Sequence, residues 1–395
     1  MSGEPGTMNV LFITHSFPQA PGDPIGSFVL RLAVALESHG IHVRVIAPSG
    51  PDLPSEAVFE GVPVHRFRYA PAARETLAYT GTMAAQVRGS LPAKAAMVGL
   101  LGAGTLTARR AARRWPAHVL HAHWWFPGGL IGMAAKSPDL PLITTLHGSD
   151  LRIARDSTST RRLFRYVMRG SSAVTTVSGW LAREVHQLVP NVDPEVVPMP
   201  IAPDLFYPSE HRERDRLLFV GKLTEQKGFP QLLDALGRMR ARPTVDVVVG
   251  VGGDPAEGRA LADSRGVGDL LRWHPLLQQA ELADCYRRAT ALVMPSVDEG
   301  LGLVAVEAMA CETPVVAFDS GGLTDIVLHG ETGLLVPPGD AAALARALDD
   351  ILSQPDQGAA MGRAGRRRAL DRFAPGVVAA RYAAIYRRAR EPSRA

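Results

Sequence analysis

Two cysteines in 395 residues, Cys285 and Cys311, are all the thiol this chain has, and both fall in apolar helical stretches. So few thiols exclude a disulfide framework and a cysteine metal cluster, and favour a reducing cytoplasm. A basic-then-apolar leader is also missing: residues 1–7 are polar and carry glycine and proline, so no signal peptide is expected. The longest uncharged apolar run, 95–106, holds three glycines. It falls well short of the roughly 20 residues that cross a bilayer, and no transmembrane segment is expected. Aromatic residues are sparse at 6%, and no stacking platform or nucleic-acid module accompanies the basic runs, which argues against nucleic acid as a partner.

What is present is a globular composition, 46% hydrophobic with 21% charged, at a length that suits two α/β domains of similar size. The segment 198–208 has four prolines in eleven residues and resists regular structure, so it marks a boundary between residues 1–200 and 201–375. A last amphipathic helix, 376–390, carries Val378, Tyr382 and Ile385 on one side and Arg387 roughly opposite, and is expected to pack back on the first domain. The net charge of +4 is modest but uneven, gathering in Arg109, Arg110, Arg113 and Arg114 and again in Arg363, Arg366, Arg367, Arg368 and Arg372. Two readings stand: contact with an anionic membrane surface or a phosphorylated acceptor, and ordinary solvated helix faces.

The first half alternates strand and helix, which argues for a parallel sheet. A strand over 10–14, a Pro/Gly-rich loop over 18–26 and a helix over 27–39 lead to a strand over 43–47. Gly26 stands near the helix start, where a backbone can approach a phosphate or where a loop simply needs its dihedrals. Strands follow over 119–121 and 142–146, and the latter ends in His147-Gly-Ser-Asp150. A histidine at the carboxyl end of a parallel strand is placed for a site, and its titration range suits hydrogen bonding or proton transfer near neutrality; a structural role is the alternative. His121 and His123 share a strand face, too few ligands for a metal site and better read as polar lining or a satisfied pair. In the second half a strand over 217–220 precedes Lys222 and Lys227, cations able to neutralise a diphosphate or merely exposed, and the strand over 245–249 ends in Gly250-Val-Gly-Gly253.

The densest signal is 295–314, Pro-Ser-Val-Asp-Glu-Gly-Leu-Gly-Leu-Val-Ala-Val-Glu-Ala-Met-Ala-Cys-Glu-Thr-Pro. A buried strand over 291–294, a turn with Gly300 and Gly302, and a helix over 303–311 would aim the helix N-terminus at whatever binds beyond the strand ends, and an anion is the natural occupant. Glu299 lies on the loop. Glu307 lies on the second turn of a helix apolar on every face, so its carboxylate is buried and needs donors. Ligand hydroxyls would serve, as would an arginine or backbone N–H groups.

These residues carry a resemblance. Val220-Gly-Lys-Leu with Gln226-Lys-Gly228, the glutamates Glu299 and Glu307 eight apart, Pro314-Val-Val-Ala-Phe-Asp-Ser-Gly-Gly322, and Gly330-Glu-Thr-Gly-Leu-Leu-Val336 closely resemble family 4 glycosyltransferases over roughly 9–373. The resemblance implies the GT-B fold, two Rossmann-like domains with parallel sheets facing across a cleft. It also implies sugar transfer from a nucleotide-diphosphate sugar to an acceptor hydroxyl with retention of configuration. Carried over by position, Glu299 holds donor-sugar hydroxyls and Glu307 the ribose. Gly302 leads into the backbone N–H groups of Leu303 and Val304, which meet the diphosphate with Lys222 and Lys227. His147 contacts donor or acceptor, and Gly26 approaches the distal phosphate. No metal and no other cofactor is then expected, because the lysines and the helix end supply the positive charge. No nucleophilic carboxylate is evident in the amino-terminal half, so same-face attack is expected.

Departures from the family are Lys222 for arginine, Leu301 for phenylalanine, Glu312 for glycine, Asp325 for glutamate, a single glycine in the first loop, and Met199-Pro200 for Asn-Gly. A nucleotide-sugar epimerase on the same fold and a non-catalytic sugar-nucleotide-binding subunit are the alternatives; the intact Glu299, Glu307, Lys227 and His147 argue against the second. The acceptor (small molecule, lipid or glycan) is expected to meet the amino-terminal domain near 77–114, the least family-like stretch. A cytoplasmic enzyme, peripheral on the membrane's inner face if the basic runs dock there, is the expectation.

Overall fold

In the computed structural model, residues 7–210, 212–251 and 253–391 are described. The amino-terminal stretch read for a leader, apart from Thr7, and Gly252 of the glycine loop lie outside these. Residues of the chain group into two compact units, Met1–Pro200 with Pro375–Ala395, and Ile201–Ala374.

The first unit is built on an eight-stranded sheet: β1 Met8–Ile13, β2 Ile41–Pro48, β3 Glu56–Phe59, β4 Val62–Phe67, β5 Val119–His123, β6 Leu142–Leu146, β7 Ala173–Thr176 and β8 Glu195–Val196. Its order is β3-β4-β2-β1-β5-β6-β7-β8, parallel except for the β3–β4 hairpin. Sequence reasoning passed over that hairpin because its strands are short and interrupted by polar residues and Pro63. After β5 the chain makes a turn at Trp125–Gly129 and then the helix Leu130–Ala135. The last helix, Pro375–Arg390, buries Val378, Tyr382, Ile385 and Tyr386, and Tyr386 reaches the sheet through His121.

The apolar run 95–106 is part of a longer element than its composition alone suggested. Helix Leu91–Arg114 continues through Thr107 and the arginines, all tolerated in a helix, and by length and composition it is the one described helix able to cross a membrane. Here it lies on the sheet, with Ala96, Met97, Leu100, Gly104 and Ala108 buried in a core shared with Phe67, Tyr69 and Ile131.

The second unit holds six strands, β9 Arg216–Gly221, β10 Thr244–Val249, β11 Leu271–His274, β12 Ala291–Met294, β13 Val315–Phe318 and β14 Gly333–Val336. All are parallel, in the order β11-β10-β9-β12-β13-β14. The runs of Val and Leu in most of these strands suit strands buried on both faces. The order reverses between β9 and β12, the switch point where a doubly wound sheet opens for a ligand. The first sheet reverses in the same way between β1 and β5.

The carboxy-terminal arginine cluster is not the free basic patch its sequence suggested. Arg366 donates to the carbonyls of Ala310 and Phe206, Arg368 to those of Ile326 and Asp325, and Arg372 to that of Asp325. Three of its five arginines thus hold loop and helix ends, while Arg363 and Arg367 are exposed.

Candidate active site

Two loops leave the switch point of the second sheet, and each carries part of the charged set. After β9, Thr224 starts the turn Glu225–Lys227, and Gly228 follows at φ 69. A Cβ at Gly228 would stand 1.9 Å from the Pro295 carbonyl oxygen, so only glycine lets this loop press against the one after β12. Val297 N–H then donates to the Gln226 carbonyl at 2.9 Å. On the other flank, Gly322 N–H donates to the Glu299 carbonyl at 2.7 Å, and Asp298 N–H to Ser320 Oγ at 3.2 Å. The loop bearing Glu299 is therefore clamped between the turns after β9 and β13. Asp298 sits at φ 51, a region that L side chains seldom adopt.

This clamp brings the half-buried Lys227 and Glu299 into an ion pair. Beyond them Gly302, at φ 88, opens helix Leu303–Ala310 with no side-chain cap and no acid in its first turn. The N–H groups of Leu303 and Val304 have no intrahelical acceptor by their position, and the helix dipole adds positive potential there. The opposite end of the same helix is balanced by cations: Arg212 donates to the Cys311 carbonyl at 2.7 Å and Arg366 to that of Ala310. Glu307 is buried as the sequence required, 7% exposed, and accepts from the Tyr286 hydroxyl at 3.1 Å. Burial, and then the neighbouring carboxylate, push the Tyr286 phenol well above its ordinary range, so it stays a donor. Sequence reasoning missed Tyr286; its only signal was an aromatic on the inner face of helix Gln279–Arg288. Lys222, just past β9, is half-buried. Cys285 and Cys311 are buried free thiols.

In the first unit His147 follows β6 and lies in an aromatic recess. Its ring is 4.3 Å from that of Trp124 and 5.2 Å from that of Phe28, and its Nε2 shares a hydrogen bond of 3.1 Å with His123 Nδ1. Trp124, at φ 62, leaves β5 in a strained conformation, held by its N–H to the Thr145 carbonyl and its indole N–H to Ser149 Oγ. His121 bonds Tyr386 at 2.7 Å and Thr145 at 2.6 Å, a satisfied core histidine. No group of three metal-capable side chains gathers among the described residues.

Burial, then the adjacent His123 and His15, hold the pKa of His147 well below the ordinary value, and burial brings His123 to about 3 and His15 to about 4. His147 is a neutral imidazole at pH 7, able to give or take a hydrogen bond but not to supply a proton from a charged form. Gly26 also has a structural reason to be glycine. At φ 69, a Cβ there would stand 2.6 Å from the Ser16 carbonyl, so its close approach is to its own chain. Asp150, which closes the His147-Gly-Ser-Asp150 stretch, is 2% exposed; burial raises its pKa to about 6, and its Oδ1 accepts from the Gly148 N–H.

The "Glycosyl transferase 4-like domain" family matches residues 25–200 and "Glycosyl transferases group 1" matches residues 206–368. A D-inositol 3-phosphate glycosyltransferase of Thermobispora bispora is 34% identical over 308 residues, 69% of this chain and 71% of that protein. The chain belongs to glycosyltransferase family 4. The fold of this glycosyltransferase agrees. Sucrose-phosphate synthase of Thermosynechococcus elongatus superposes with a TM-score of 0.80 at 24% identity, covering 96% of this chain and 98% of the other. HepE of Anabaena, solved with UDP and glucose, does so at 0.72 and 18%, covering 96% and 100%. Two parallel-sheet α/β units are the GT-B architecture.

Proposed function

We propose that this glycosyltransferase moves a hexose from a nucleotide-diphosphate sugar to an acceptor hydroxyl with retention, by same-face attack and without a divalent metal. The observation that carries the proposal is the Lys227–Glu299 pair held beside the open N-terminus of helix Leu303–Ala310 at the switch point of the second sheet. Cleavage of the sugar–phosphate bond puts negative charge on the diphosphate. Lys222, Lys227 and the N–H groups of Leu303 and Val304 would stabilise it as it forms. Glu299 would orient the sugar hydroxyls, and Glu307, already pointed by Tyr286, would take the ribose hydroxyls. His147, as a neutral imidazole, would hydrogen-bond a hydroxyl rather than protonate a leaving group.

Same-face attack is favoured because the buried carboxylate near His147 is poorly suited to attack. Asp150 is almost fully enclosed and its Oδ1 is taken by Gly148. The complexes with UDP and with UDP-glucose belong to HepE and make uridine donors the first to try. The test is a panel of UDP-, GDP-, ADP- and TDP-sugars read by thermal shift, then transfer followed by NMR of the new anomeric centre with and without EDTA. A stabilising donor, a retained anomer and activity indifferent to EDTA are expected. An inverted product or loss of turnover with EDTA overturns the mechanism, and an altered sugar released without acceptor would mark an epimerase.

A further inference from the structure

Most of the exposed large hydrophobic side chains of the described residues lie on two helices of the first unit. Leu91, Val98 and Leu106 stand out from helix Leu91–Arg114, and Leu163 and Tyr166 from helix Thr158–Gly170. The two helices run side by side with helix Leu130–Ala135 between them. Arg88 pairs with Asp156 where they begin. Where they end, Arg109 donates to the Ala134 carbonyl at 2.6 Å and Lys136 to that of Gly170.

Neither helix contains a single Asp or Glu, nor does the one between them. The first carries Lys94, Arg109, Arg110, Arg113 and Arg114, and the second Arg161, Arg162, Arg165 and Arg169. Capping of helix ends accounts for Arg109 and for Arg165, which donates to the Leu188 carbonyl at 3.0 Å. The remaining arginines are exposed. On the second helix Arg162, Arg165, Tyr166, Arg169 and Gly170 line a groove of about 570 Å³.

We propose that this face docks on an anionic lipid bilayer, with the arginines at headgroup phosphates and Leu91, Val98, Leu106, Leu163 and Tyr166 entering the interface. An acid-free basic surface fits any polyanion, but exposed aliphatic side chains interleaved with the cations discriminate. A lipid interface rewards their burial; a nucleic acid backbone does not. The proposal is independent of the donor reading, because vesicle binding and sugar transfer are separate measurements.

The experiment is co-sedimentation of the full chain with vesicles of phosphatidylcholine alone and of phosphatidylcholine with phosphatidylglycerol. The protein should partition to the anionic vesicles only. Replacing Arg110, Arg113 and Arg114 by Gln should lower the partition about a hundredfold, since each cation near such a surface contributes about a fivefold gain. Val98→Ser with Leu106→Ser should lower it severalfold, and all five positions are exposed, so thermal unfolding should not move. Arg363→Gln with Arg367→Gln, exposed but on the other unit, should leave binding unchanged. Absence of binding to anionic vesicles, equal binding to neutral ones, an equal loss in the Arg363/Arg367 variant, or tighter binding to duplex DNA at the same salt would overturn it.

Discussion

The loop after β12 in the second unit and the loop after β5 in the first occupy equivalent places, each following the strand at which sheet order reverses. Both are strained at one non-glycine residue, Asp298 at φ 51 and Trp124 at φ 62. Their chemistry is opposite. The first gathers formal charge, Glu299 against Lys227 beside an open helix end. The second relies on neutral rings, packing His123 and His147 with Trp124 and Phe28 so that burial disfavours charging the imidazoles. The same strained scaffold thus serves two ends: a site for a group that develops charge needs fixed charges and dipoles, while a site that only orients a hydroxyl works with neutral donors and shape.

The sharpest way to break this contrast is to remove the cation on the charged side. Lys227→Ala should lower kcat about 10²–10³-fold, the range for losing one group aimed at transition-state charge, in steady-state transfer assays. An unchanged kcat would remove Lys227 from the proposed diphosphate set. Gly321→Ala tests the clamp, since its new Cβ would stand 2.5 Å from the Glu299 nitrogen at φ 61. Displacing Glu299 by an ångström should cost about a hundredfold in kcat with nucleotide affinity largely kept.

On the neutral side the handle is pH. His123 binds a proton near 6.5 when unfolded and only at about 3 when folded, so stability is full above about 6.5 and falls as pH drops through that window. Each such buried histidine contributes up to about 1.4 kcal/mol per pH unit. Between pH 6.5 and 5 that is about 2 kcal/mol, read as a fall in Tm, and His123→Phe should flatten the slope; a flat profile in the parent protein would contradict the neutral recess. Smallest is Glu307→Gln, expected to raise the KM for the nucleotide sugar about tenfold through loss of a charged acceptor, with kcat nearly intact.

Much of this arrangement was legible from residue order. The strands 291–294, 315–318 and 333–336, the buried helix with its solitary Glu307, and the open N-terminus after Gly302 all follow from local rules: β-branched runs, helix formers without breakers, and glycines at turns. Less legible were the β3–β4 hairpin and the helix Thr158–Gly170, whose hydrophobic positions are diluted by arginine. The carboxy-terminal arginines misled because sequence shows a charge but not the carbonyl it answers; Arg366 and Arg368 prove to be braces for helix and loop ends. The lowered pKa of His147 was not legible either, since it depends on neighbours brought from other segments.

Local order, then, determined which segments become strands and helices, where chain reversal demands glycine, and which carboxylate ends up inside, because these are set by contacts within a few residues. Only tertiary structure decided that Lys227 meets Glu299 seventy-two positions away, that Tyr286 points Glu307, and that four histidines spread from His15 to His147 come together in one aromatic recess. Pair distance and desolvation govern those outcomes, and both are properties of the assembled fold rather than of any stretch of chain.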